Sequence, residues 1–346
     1  MRLLLAALLA ALLLTGCASA GTSSQSAVGT PAVGAPASGN PAADAPAASA
    51  PFYLESGWDT VSVVNGFTGQ TEAAIAAPHW AGSHPWVGHT TWYPCGAAPD
   101  DRTFLMCGRD RYSELRLGDD GKPQPMSAPA DIPVAARNNG SNGDPEFAVS
   151  PDARFAAVTT ATGGIMVLSL VTGATRSWTI PAAEGSATSL SWAGDRFLAF
   201  QFVSQSRDNS AGGVRVLDTR SAATAALTAS RLVISTERTP AGGITRVFNP
   251  VITPDGSKIV AAAWTGFNVA ELAEFSARTG RLIAVLVPAA HMPGSGSPCQ
   301  VLWTDASGAH LIAYCGTPGE INGTRFTPVH LHIPDTSGIY YSDLVW

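Results

Sequence analysis

From Phe52 onward, short apolar runs alternate with polar turns, and one phrase keeps returning. An apolar strand enters a tight turn containing Asp with Pro or Gly, and a second apolar strand runs back. Phe147-Ala-Val-Ser-Pro-Asp-Ala-Arg-Phe-Ala-Ala-Val158 has this form, and so does Pro250-Val-Ile-Thr-Pro-Asp-Gly-Ser-Lys-Ile-Val-Ala261. Leu190 to Phe200 and Val301 to Ile312 repeat it with a Trp in the first strand. Thr91-Trp-Tyr-Pro followed by Arg102 to Met106 is a longer version. A third strand and a Thr-Gly-like turn come next, as in Ile165 to Gly173, Val214 to Thr219, Glu271 to Gly280 and Val61 to Gly69. A fourth short strand closes each unit, for example Thr175 to Ile180 or Arg281 to Val287.

Four strands per unit, repeated along the chain, predict an all-β fold of the β-propeller class, because each unit buries its faces only against neighbours. First-strand phrases fall near residues 92, 148, 191, 251 and 302. The chain ends in Ser342-Asp-Leu-Val-Trp346, with Trp346 in phase with Trp92, Trp192 and Trp303. Phe52 to Ile75 supplies the other strands of a blade without a first one. The two termini are therefore expected to share a blade, giving six blades closed by the C-terminal strand. Seven blades is the alternative, since 76–90 and 231–247 have room for further strands; two β-sandwich domains rank third. The Ser-Pro-Asp and Thr-Pro-Asp-Gly phrases resemble the WD40-like repeats of TolB-type bacterial propellers, over about residues 52–346.

The segments outside this pattern are equally distinctive. Arg2 precedes an unbroken Leu/Ala run from Leu3 to Leu14, and Leu14-Thr15-Gly16-Cys17 sets small residues before a cysteine. That order reads as a secretory signal peptide, and the run is shorter than a membrane span needs. The cysteine at the cleavage point resembles the lipobox of bacterial lipoproteins. The resemblance implies that residues 1–16 are removed and that Cys17 is lipid-modified. The alternative is an ordinary secreted protein cut near Ala18 or Ala20. Residues 18–50 are almost entirely Ala, Gly, Ser, Thr and Pro, with Asp44 the only charge. Nothing there builds a core, so 17–50 is expected to be a lipidated, disordered tether before a propeller at 51–346.

Composition narrows function mainly by exclusion. Net charge is −6, lysine occurs only at Lys122 and Lys258, and there is no basic run. Nucleic-acid binding is therefore disfavoured. Cys17 is assigned to the anchor. Cys95, Cys107, Cys299 and Cys315 remain, an even number in an exported chain. Centring hairpins on Pro99–Arg102 and on Asp305–Gly308 brings Cys95 opposite Met106 or Cys107, and Cys299 opposite Tyr314 or Cys315. Opposed strand residues suit a disulfide. The expected pairs are Cys95–Cys107 and Cys299–Cys315. Neither has the spacing of a redox or zinc motif.

Candidate chemistry is sparse. His79, His84 and His89, with Trp80 and Trp86, make the densest polar-aromatic segment, at no recognised metal spacing. His330 and His332 share one face of a predicted strand, with no third ligand nearby in sequence. Asp152, Asp195, Asp255 and Asp305 recur in the first hairpins, where a carboxylate caps backbone N–H groups, so turn chemistry explains them better than calcium does. No nucleophile elbow, phosphate loop or zinc-protease motif occurs, and no catalytic residue is assigned. No metal site or cofactor is expected. The long polar segments Arg137–Asp144, Ser204–Ser210, Thr236–Thr239 and Gly319–Arg325 are expected on one face of the propeller. Recognition sits on such loops, so Arg137, Asn138, Arg207, Asp208, Arg238, Asn322 and Arg325 are the candidate binding residues. The reading is a monomeric, membrane-anchored extracytoplasmic lipoprotein that binds or scaffolds a protein or glycan at the envelope. An envelope hydrolase or lyase on the same fold is the alternative.

Overall fold

The computed structural model describes residues 52–56, 60–66, 68–79, 92–100, 102–108, 110–136, 146–205, 212–236, 244–265, 270–288, 299–304, 310–315, 318–322, 325–328 and 344–345. All belong to the unit Ser49–Trp346.

The strands are β1 (Phe52–Ser56), β2 (Thr60–Asn65), β3 (Thr71–Ala76), β4 (Tyr93–Ala97), β5 (Thr103–Cys107), β6 (Arg111–Arg116), β7 (Ala130–Asp131), β8 (Phe147–Val149), β9 (Phe155–Thr159), β10 (Ile165–Ser169), β11 (Thr175–Trp178) and β12 (Gly185–Ala193). They continue with β13 (Phe197–Ser204), β14 (Gly213–Asp218), β15 (Ser230–Ser235), β16 (Ile244–Ile252), β17 (Lys258–Thr265), β18 (Ala270–Ser276), β19 (Leu282–Val287), β20 (Gln300–Thr304), β21 (His310–Tyr314), β22 (Pro318–Asn322), β23 (Arg325–Pro328) and β24 (Leu344–Val345). They form six four-stranded antiparallel sheets: β4–β7, β8–β11, β12–β15, β16–β19 and β20–β23 are blades 1 to 5, and β24-β1-β2-β3 is blade 6. The chain is a six-bladed β-propeller. In blade 6, Leu54 lies opposite Val345 and Glu55 opposite Leu344. The stretch 231–247, a possible source of a seventh blade, instead supplies the outer strand of blade 3 and the start of β16.

The blades cohere because both faces of each sheet are apolar. Along β17, Ile259, Ala261 and Ala263 join a core shared with blade 3, while Val260 and Ala262 join one shared with blade 5. Along β5, Leu105 and Cys107 pack toward blade 2, and Phe104 and Met106 toward blade 6. The period of two along a strand thus becomes alternate burial in two neighbouring interfaces. Trp192 makes the same connection with a polar tip: its Nε1–H donates to the Ala148 carbonyl of blade 2 at 2.9 Å.

The aspartates of the first hairpins stabilise turns. Asp152 Oδ1 accepts from Ser150 Oγ (2.6 Å) and the Arg154 N–H (3.1 Å). Asp255 Oδ1 accepts from Thr253 Oγ1 (2.5 Å) and the Ser257 N–H (2.9 Å). Burial alone would raise the Asp255 carboxyl, but these bonds outweigh it and hold the group below its usual value. Asp195 differs: it faces Arg220 at 3.5 Å. Asp305 lies outside the described residues.

Both expected disulfides are present, Cys95–Cys107 with Cα atoms 5.7 Å apart and Cys299–Cys315 at 4.3 Å. Gln300 opposes Tyr314, which brings Cys299 level with Cys315. Cys95 departs from the simple register: Tyr93 opposes Cys107 and Pro94 opposes Met106, leaving Cys95 in a bulge before Gly96. The bulge bends β4 and turns the Cys95 side chain to its partner.

Candidate functional site: a polar collar in the central channel

The innermost strand of each blade determines what a propeller presents on its axis. Residues of β4, β8, β12, β16 and β20, with the turn residues Pro99 and Pro254, line a cavity of about 180 Å³. Its walls are mainly apolar, including Phe147, Val149, Leu190, Val251 and Val301. That volume is below the ~300–1,000 Å³ of ordinary small-molecule pockets. The cavity suits a short protruding group better than a whole ligand.

Immediately before these wall segments, three inner strands contribute polar residues. Glu146 precedes β8, Ser189 lies within β12 and Asn249 within β16. Inner strands run from the inter-blade links toward the first hairpin turns. The three residues therefore form a collar on the side of the cavity nearer the links. The Ser189 N–H donates to Glu146 Oε2, joining blades 2 and 3. Ser189 Oγ donates to Asn249 Oδ1 at 3.4 Å, joining blades 3 and 4. Below them the Ile252 N–H donates to Ser191 Oγ at 3.1 Å.

The backbone is distorted to build this collar. β12 carries a one-residue bulge between Thr188 and Ser191, and β16 carries one between Phe248 and Val251. Ser189 and Asn249 occupy these bulges with left-handed φ of 52° and 47°. A left-handed non-glycine residue costs about 1–2 kcal/mol, less for Asn. Two such residues at matching positions of neighbouring blades mark a place where the fold accepts strain to aim side chains inward. The Glu146 backbone is held by the ladder to β9, its N–H donating to Thr159 Oγ1 at 3.0 Å. Its side chain reaches solvent in the channel, but the walls crowd it. Desolvation raises its carboxyl above the usual range, against the lowering effect of the Ser189 N–H. The collar therefore offers a carboxyl group, a hydroxyl and a carboxamide, the set that reads hydroxyl and amide groups of a ligand.

The expected binding residues fall into two groups. Arg137, Asn138, Arg207, Asp208 and Arg238 lie outside the described residues. Their segments connect β7 to β8, β13 to β14 and β15 to β16, whose ends all open on the collar side. Asn322 and Arg325 need correction: they are no part of a long loop. They face each other at the ends of β22 and β23, and the link between those strands opens on the opposite side. With Asn322 paired to Arg325 the link is the two residues Gly323-Thr324, and a glycine at the first position of a two-residue link is a tight-hairpin signal that takes precedence over the polarity of the segment. His79 is exposed just beyond β3, and His84, His89, His330 and His332 are outside the described residues, as is Cys17. No three His, Cys, Asp or Glu gather into a metal-holding group among the described residues. No described helix is long and apolar enough to cross a membrane. The collar itself was not anticipated from sequence: Ser189 and Asn249 carry no local signal for a bulge.

No protein-family model matches this chain, and no curated protein matches it. Its likenesses are to solved structures. An oligogalacturonate lyase in complex with manganese is similar at TM-score 0.51 and 12% identity, over 82% of this chain and 73% of that one. TolB from Acinetobacter baumannii is similar at TM-score 0.46 and 14% identity, over 81% of this chain and 63% of that one. A putative TolB from Agrobacterium tumefaciens gives 0.45 and 14%, over 74% and 84%. At these identities the likeness is one of fold and assigns no chemistry.

Proposed function

We propose that this chain is a lipid-anchored extracytoplasmic binding protein that receives a ligand of the cell envelope at the collared end of its channel. The observation that carries the reading is the collar: Glu146, Ser189 and Asn249, from three blades, tied together on strained inner strands. The segments bearing Arg137, Arg207 and Arg238 connect strand ends on that same side and would widen the contact surface. A cavity this small takes one protruding group while a larger glycan or protein spreads over the surrounding links. Export is supported by the Leu3–Leu14 run and by two disulfides, which persist in oxidising compartments. Anchoring rests on Leu14-Thr-Gly-Cys17, and residues 18–50 would serve as the tether.

The test uses the full chain, extracted in detergent from membranes of a producing cell. Thermal shift is measured against a panel of envelope glycans and peptides, for the native protein and for Glu146→Ala with Asn249→Ala. Stabilisation by one class, lost in the double variant, is the expected result. Equal stabilisation of both proteins would remove the collar from recognition. Cys17→Ala is expected to move the protein from the membrane to the soluble extracytoplasmic fraction; retention in the membrane would refute the anchor.

A further inference from the structure

On the side opposite the collar, two successive blade interfaces carry the same groove. The first, of about 270 Å³, lies between blades 2 and 3, and the second, of about 590 Å³, between blades 3 and 4. Strand register shows the equivalence. Phe155 opposes Ser169, and Val167, two residues earlier on that strand, opposes Arg176. Phe197 opposes Asp218, and Val216, again two residues earlier, opposes Arg231.

The two grooves also share their arginine arrangement. In each, one arginine crosses from an outer strand to carbonyls of the next blade. Arg176 donates to Thr219 O at 3.0 Å and to Ser221 O. Arg231 donates to Arg278 O at 2.7 Å and Ala277 O at 2.8 Å. A second arginine stands on the next blade's turn, Arg220 in the first groove and Arg278 in the second. Among the described residues the Arg220 guanidinium has one ion pair, long and exposed, with Asp195, which a ligand displaces at little cost, and it also lies near enough to Asp218 to help hold that carboxyl below its usual value. The Arg278 guanidinium has no partner among the described residues and is exposed. Asp218, the carboxylate of the second groove, is neutralised by Arg196 at 2.7 Å. Each groove thus sets two guanidinium groups against one carboxylate, on a chain whose net charge is −6. Each also presents a partly exposed phenyl ring beside a valine, Phe155 stacked on one side by Trp192 and Phe197 covered on one side by the Arg196 guanidinium, so a ligand would use the opposite face of each ring. Across the next interface the pattern stops: Lys258 opposes Ser276, and Glu274, two residues earlier on that strand, opposes Ala284, so an ion-paired lysine and glutamate stand where the phenyl ring and valine do and no arginine follows.

We propose that these paired grooves bind a linear anionic glycan, one acidic sugar unit per groove, separately from the ligand of the collar. Guanidinium forks match carboxylate or phosphate on a sugar, and a phenyl face packs against its C–H surface. Repetition of the groove across adjacent interfaces calls for a ligand that repeats as well. An acidic peptide offers the charge without the ring.

The full chain is titrated by calorimetry with a single uronate, short and long alginate oligomers, neutral dextran and poly-glutamate. Long alginate oligomers are expected to bind roughly a hundredfold more tightly than a single uronate, because the second contact becomes intramolecular. Arg220→Gln and Arg278→Gln are each expected to abolish that length advantage while melting curves stay unchanged, since both side chains are exposed. The proposal is overturned if alginate does not bind, if affinity is independent of length, or if poly-glutamate binds equally well. It is also overturned if Arg220→Gln with Arg278→Gln keeps full binding while Glu146→Ala loses it, which would place the oligomer in the channel.

Discussion

Removing one disulfide is expected to cost about one-fifth to three-fifths of the stability of an ordinary domain. The bonds close loops of 12 and 16 residues within single hairpins of blades 1 and 5. Loop-closure entropy gives about 3 kcal/mol for each, against the ~5–15 kcal/mol that holds a typical domain folded. Cys107, Cys299 and Cys315 are fully buried, so replacement by Ala avoids placing a hydroxyl in the core. Cys95→Ala with Cys107→Ala, and Cys299→Ala with Cys315→Ala, are compared with the native chain by equilibrium unfolding in urea. Each pair is expected to lose about 3 kcal/mol, and all four replacements about 6, because the hairpins share no partners. With ~2 cal/mol/K per residue of unfolding entropy over Ser49–Trp346, one pair corresponds to about 5 °C in Tm. A loss under ~1 kcal/mol for either pair would refute the argument that these bonds act through the unfolded chain. Free thiols beyond any at Cys17 in the unreduced native protein would refute the pairing itself.

Two glycines in corresponding turns separate backbone strain from blade packing. Gly173 has φ +71° and open space around an added Cβ, so Gly173→Ala is expected to cost about 1–2 kcal/mol. Gly280 has φ +69°, and its Cβ would lie 1.8 Å from the Val233 carbonyl of blade 3. Gly280→Ala is therefore expected to cost roughly 2–4 kcal/mol; equal losses on denaturant unfolding would contradict the close approach of those blades. Glu146 supplies a pH test. Its folded-state pKa is raised by desolvation, so the native state holds its proton more tightly than the unfolded chain does. Stability should fall as pH rises from the ordinary glutamate range through that raised value, and Glu146→Gln should remove this component. Parallel stability–pH curves for the two proteins would refute it.

Much of the fold was legible because local turn chemistry and strand periodicity agree. Ser150-Pro-Asp and Thr253-Pro-Asp-Gly mark hairpins through side chains that hydrogen-bond their own turns, as Asp152 and Asp255 do. The runs between them are apolar at nearly every position because alternate residues face two different neighbouring blades, as Ile259 and Val260 show. Cys299 and Cys315 could be paired by counting outward from the turn. The same count pairs Cys95 with Cys107, although it misses the bulge at Cys95, which leaves no mark in composition. The site was harder to read for the same reason. Ser189 and Asn249 adopt left-handed conformations that sequence announces reliably only through glycine, and Glu146 looks like the end of a polar linker. Polarity puts Asn322 and Arg325 on a long loop, whereas Gly323 between them marks a tight two-residue hairpin. The inter-blade arginines are exposed on outer strands, where a sequence gives no reason to separate Arg176 or Arg231 from ordinary surface charge.

Recognition is placed, in this proposal, at the collared end of the channel. Hydrogen exchange of the full chain, with and without the envelope component that stabilises it, tests this most directly. Slowed exchange is expected at residues 146–149, 187–191 and 247–252 and at the links on that side. Slowing confined to other blade edges, or none at saturating ligand, would contradict it.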